Sequence, residues 1–78
     1  MGFNKRYIEK DNLLGQYRQG GIKEVMSYLS RPDALIWSGD FAQDVSEIYY
    51  SDLPEDTVWN KIEEKLKNAL GSEENLVY

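Results

Sequence analysis

The chain has 78 residues, a formal net charge of −5, and neither cysteine nor histidine. Those two absences exclude disulfides, thiolate chemistry, zinc sites of the usual ligand types and every histidine-based acid–base mechanism. A domain of this length buries only roughly 60% of the surface its unfolded chain exposes, so good helix packing or a partner must supply stability. That partner can be a second copy, so homo-oligomerisation stays open.

The charge is unevenly placed. Residues 1–31 carry six Lys/Arg against three acids, a net of +3, while residues 32–78 carry three lysines against eleven acids, a net of −8. Between Pro32 and Asn60 there is no basic residue. Such asymmetry sets up a dipolar protein with one face suited to cationic partners. The longest apolar run is Ala34–Trp37, far short of the ~20 residues of a membrane span. No signal peptide is visible, and the lack of cysteine fits a reducing compartment, so the expected location is cytoplasmic with no membrane contact.

In chain order, residues 1–10 show no periodicity and read as a loosely ordered arm, extended or weakly helical, with Phe3, Tyr7 and Ile8 as packing residues. Asp11 is a candidate N-cap for a helix carrying Leu13, Leu14 and Tyr17, which Gly20-Gly21 would end. Ile22, Val25, Met26 and Leu29 then form one apolar stripe at i, i+3, i+4 and i+7. Ser30–Asp33 reads as a helix end and a new start. The run Ala34–Trp37 fits one or two helical turns closed by Gly39, with a buried strand as the competing reading. The helix is favoured because no partner strand is evident.

Asp40 and Gln43 have the spacing of a capping box. Behind them Phe41, Val45, Ile48 and Tyr49 form an inward stripe, with Asp40, Asp44 and Glu47 on a neighbouring row. Pro54-Glu55-Asp56 opens a last helix, with Val58, Trp59, Ile62, Leu66, Ala69 and Leu70 as its core face and Glu63/Lys67 as an i, i+4 pair. Gly71 is expected to stop that helix and leave 72–78 as a flexible tail, in which Leu76-Val77-Tyr78 reads either as a short linear motif or as a segment that docks back onto the fold. The expected fold is therefore all-α, one small domain over 1–78 with four or five short helices.

Several site readings compete. Leu13–Ser30 resembles the first two helices of a helix-turn-helix. The segment that should then read DNA, Pro32–Gly39, offers no Arg, Lys, Gln or Asn for bases or phosphates. An acidic chain also opposes the counterion-release term in DNA affinity, so nucleic acid is not the expected ligand. The row Asp40, Asp44 and Glu47 lacks a calcium-loop spacing and reads as a solvated face rather than a metal site. Pro32-Asp33 with Glu63-Glu64-Lys65 superficially matches a metal-dependent nuclease pattern, but the second part lies inside a helix. No nucleophile sits beside a base, so no enzyme, metal or cofactor is expected.

The chain carries ten aromatics. Phe41, Tyr49, Trp59 and Tyr17 fit apolar stripes, whereas Tyr28, Trp37 and Tyr50 fall off them. Tyrosine and tryptophan are enriched at binding hot spots. The expected partner-binding surface therefore joins Tyr28, Trp37 and Tyr50 to the acids Asp40, Asp44, Glu47, Asp52, Glu55 and Asp56. It would bind and modulate, and as an inhibitor block, a protein with a basic surface. By analogy, small acidic chains of this kind are common among phage-encoded inhibitors and accessory proteins, some of which mimic phosphate charge. A helix-turn-helix regulator and a structural subunit of a larger assembly are the alternatives.

Overall fold

A computed structural model describes residues 5–75, with side chains for residues 5–71. Strand β1 (Lys5–Ile8) leads into helices α1 (Lys10–Gly20) and α2 (Ile22–Leu29). Strand β2 (Ala34–Trp37), α3 (Asp40–Tyr49) and α4 (Glu55–Asn75) follow. Helix dominates, and the addition to it is a two-stranded parallel sheet.

That sheet corrects two expectations. Residues 34–37 are a strand rather than helical turns, and part of the supposed arm is the strand that pairs with them. Lys5 lies opposite Ala34, Arg6 opposite Leu35, Tyr7 opposite Ile36 and Ile8 opposite Trp37. The α1–α2 hairpin is the crossover that parallel pairing requires. Its length is why local patterning could not show the partner: the two four-residue runs meet only after 25 intervening residues. Ile8 is fully buried, and Arg6 closes the sheet end by donating from Nε to Asp33 Oδ2 at 3.1 Å. The Arg6 guanidinium also lies 4.4 Å from the centre of the Tyr28 ring. Phe3 lies outside the described residues.

The helix signals hold with local shifts. Gly21 takes φ +76° and donates to the Tyr17 carbonyl at 2.8 Å, ending α1. A side chain there would be strained, which explains glycine at this joint. Asp11 is not the N-cap: Glu9, extended as it leaves β1, holds that position without a side-chain cap, and Asp11 falls in the first turn. Asp40 is displaced in the same way. The chain turns from β2 into α3 at φ +97°, a conformation that favours Gly39, so Gly39 becomes the N-cap. No side-chain capping bond forms, and Asp40 serves only as a first-turn acid beside the helix dipole.

Helix α4 begins at Glu55 as Pro54 directs, but Gly71 does not end it. Gly71 keeps a negative φ, and the helix runs on to Asn75. Glycine inside a helix costs only about 1 kcal/mol relative to alanine, which the rest of a 21-residue helix can absorb. Residues 72–75 are thus helical rather than a tail; Leu76-Val77-Tyr78 lie outside the described residues. The core gathers Ile8, Leu13, Leu14, Val25, Tyr28, Leu29, Val45, Val58, Ile62 and Leu66, so β1 and all four helices contribute.

Candidate partner-binding surface

Three elements bring aromatic rings together at the end of α3. Trp37 from β2 packs 5.8 Å from Tyr49 and 6.0 Å from Tyr50, centre to centre. Tyr49 meets Tyr50 edge-on at 4.9 Å and Trp59 of α4 at 5.8 Å. Tilted and edge-on pairs at such distances satisfy the ring quadrupoles. Tyr49 is the hub, and its hydroxyl donates to the Leu29 carbonyl at 3.3 Å. Burial, and then the neighbouring Tyr50, push the Tyr49 phenol above its ordinary pKa, so it stays protonated and able to donate. The indole N–H of Trp37 is buried without an acceptor.

The cluster ends in solvent. Tyr50 is 63% exposed and Leu53 43% exposed, just before α4. Asp52, Glu55 and Asp56 around them are exposed too. Beneath Tyr50 and Leu53 an open cleft of about 540 Å³ runs between the α3–α4 loop and Trp59. A second cleft, of about 630 Å³, lies on the other flank of Trp59, between α2 and the first turns of α4. Ile22, Met26 and Trp59 supply its apolar lining, and Glu55, Asp56 and Glu63 its carboxylates. Ser30, Glu55 and Trp59 border both clefts, which makes them neighbours.

The acidic row of α3 has a different environment. Lys65 of α4 reaches Asp44 at 3.4 Å and lies 5.2 Å from the Phe41 ring, which Lys10 approaches at 5.5 Å. Asp44 therefore has a basic neighbour, although none is near it in sequence. Asp40 and Glu47 are exposed, and no group of three metal-ligating side chains gathers among the described residues.

The structure thus brings Trp37, Tyr50, Asp52, Glu55 and Asp56 into one region, and it separates Tyr28 from them. Tyr28 is 8% exposed, packed under Arg6, and is a core residue. It lies off the α2 stripe, but the Arg6 side chain of β1 lies over its ring. Asp33, the other half of the nuclease-like spacing, is paired with Arg6, and Glu63 turns to Tyr17 rather than to Lys67. The Tyr17 hydroxyl donates to Glu63 Oε2 at 2.9 Å. Burial first, then that bond and the carboxylate's charge, raise the Tyr17 pKa.

Ile22, Met26, Trp59, Glu63 and Leu53 belong to this surface and were missed as such. The first three sit on stripes that periodicity assigns to the core, yet they are only half-buried. Leu53 carried a usable signal: it precedes Pro54 and belongs to no stripe. No protein-family model matches the chain, and neither curated proteins nor solved structures provide a match.

Proposed function

We propose that this chain is a cytoplasmic binding protein that docks on a partner protein with a basic surface and modulates it, with no chemistry of its own. The observation that carries this reading is the exposure of Tyr50 and Leu53 over a packed aromatic cluster, ringed by Asp52, Glu55 and Asp56. Exposed aromatic and aliphatic side chains on a rigid base supply affinity at small entropic cost, and the carboxylates steer a cationic partner. Where that basic surface serves nucleic acid, the protein would compete for it, which is the inhibitory form of the same function. The helix-turn-helix alternative has β2 in the place of its DNA-reading segment.

The test is a quantitative capture from cell lysate with the parent protein and with Tyr50→Ala/Leu53→Ala, both checked for equal helix content. A protein with a basic surface should be retained by the parent and depleted about tenfold or more with the variant, as expected when interface anchors are truncated. Equal retention by the two would refute the assignment of this surface.

A further inference from the structure

The cleft between α2 and α4 joins apolar side chains to carboxylates. Its apolar lining is Ile22, Met26 and the flank of Trp59, and its charged lining is acidic throughout: Glu55, Asp56 and Glu63. Among the described residues none of these three carboxylates forms an ion pair, whereas the ion pairs that do form engage Asp33 and Asp44. Glu63 is half-buried and held in place by the Tyr17 hydroxyl, which occupies one of its oxygens and leaves the other as an acceptor. A fixed carboxylate beside an indole ring and a methionine suits an arginine side chain. An arginine presents a planar cation that stacks on indole and pairs with carboxylates, and its aliphatic stem packs on apolar surface.

We propose that the α2/α4 cleft seats an arginine-bearing segment of the partner protein, its guanidinium among Glu55, Asp56 and Glu63 and its stem against Met26 and Trp59. This rests on the partner-binding reading above and narrows it. The cleft under Tyr50 and Leu53 takes the partner's apolar side chains, and the cleft across Trp59 takes its cation. Because Ser30, Glu55 and Trp59 border both, a single segment spans the two. Met26 suits such a role, since a flexible thioether adapts to what lies on it.

The experiment uses the full-length protein, labelled with nitrogen-15 and titrated at low ionic strength with a blocked leucine/arginine peptide. A twin peptide carrying neutral citrulline in place of arginine serves as the control. The arginine peptide should bind about tenfold more tightly, the gain expected of charge-assisted, partly desolvated pairs. Its shifts should centre on Ile22, Met26 and the Trp59 indole. Glu55→Gln/Asp56→Asn changes only exposed carboxylates and should retain the fold while losing most of that preference. Asp40→Asn/Glu47→Gln should keep it. Equal binding of the two peptides, or shifts centred on α3, would overturn the proposal. If partner capture depends on Tyr50 and Leu53 but is indifferent to Glu55→Gln/Asp56→Asn, the cation seat fails while the broader function stands.

Discussion

Asp40, Asp44 and Glu47 on α3 and Glu55, Asp56 and Glu63 on α4 are equal in formal charge, three carboxylates in each set, yet they sit in different company. The α3 row faces Lys65, and its central member is paired at 3.4 Å beside a phenylalanine ring that two lysines approach. The α4 set borders an apolar cleft, and among the described residues it meets no cation. Counting charges along the chain ranks the two as equivalent. Their surroundings make one a partly neutralised helix face and the other a place where an incoming cation gains both charge pairing and apolar contact. The difference arises from residues far apart in sequence.

The comparison breaks most readily under charge reversal. Glu55→Lys/Asp56→Lys should slow association with the captured partner by about tenfold or more at low salt and flatten its salt dependence. Asp40→Lys/Glu47→Lys should slow it by no more than about threefold, because the proposed contact does not include that face. Surface-resonance kinetics on the two variants would read the contrast directly. Similar slowing in both would mean that the protein acts through its overall field.

Tyr50→Ala should raise the dissociation rate about fivefold to tenfold with little change in association, the pattern of an aromatic anchor. A change confined to the on-rate would count against that role.

Stability offers a smaller effect. Tyr17→Phe removes the hydrogen bond to Glu63 and should lower the unfolding free energy by about 1 kcal/mol at neutral pH, read by urea denaturation. In the folded protein the Tyr17 and Tyr49 pKa values are raised, by burial first. The folded state therefore binds these protons more tightly than the unfolded chain, whose tyrosines titrate near pH 10. Their contribution is whole below about pH 10 and is lost as pH rises through the folded values. Stability should fall above pH 10, and less steeply in Tyr17→Phe.

The smallest effect belongs to Lys65→Met. Its ion pair with Asp44 is partly solvent-exposed, so stability should change by less than about 1 kcal/mol. The variant also releases Asp44. If the α3 row is merely a solvated face, partner affinity should stay within about twofold.

How much of this was legible in the sequence depends on the distance over which each feature is encoded. The stripes Ile22/Val25/Leu29 and Val58/Ile62/Leu66 are periodic over two or more turns, and both elements stand where periodicity puts them. Gly21 and Pro54 punctuate them as their backbone preferences require. The sheet was hidden because two four-residue strands carry no period of their own and identify each other only by pairing across α1 and α2. On the surface, Trp37, Tyr50, Asp52, Glu55 and Asp56 were visible as residues without a core role. Met26 and Trp59 were not, because a stripe does not reveal which of its members lies at the rim, and Glu63 was not, because its spacing from Lys67 pointed to a surface pair while its partner is Tyr17. Tyr28 erred in the opposite sense: off its stripe, it is buried, with a side chain from β1, Arg6, over its ring.

Hydrogen–deuterium exchange of the 78-residue chain, with and without its purified partner, tests most directly whether the partner sits on α2 and α4. Protection should concentrate on the loop from Tyr50 to Pro54, the first turns of α4 and the α2 segment from Met26 to Ser30. The backbone amides of Asp40–Glu47 should exchange as in the free protein. Protection centred on Asp40–Glu47, with residues 50–63 unaffected, would contradict that placement.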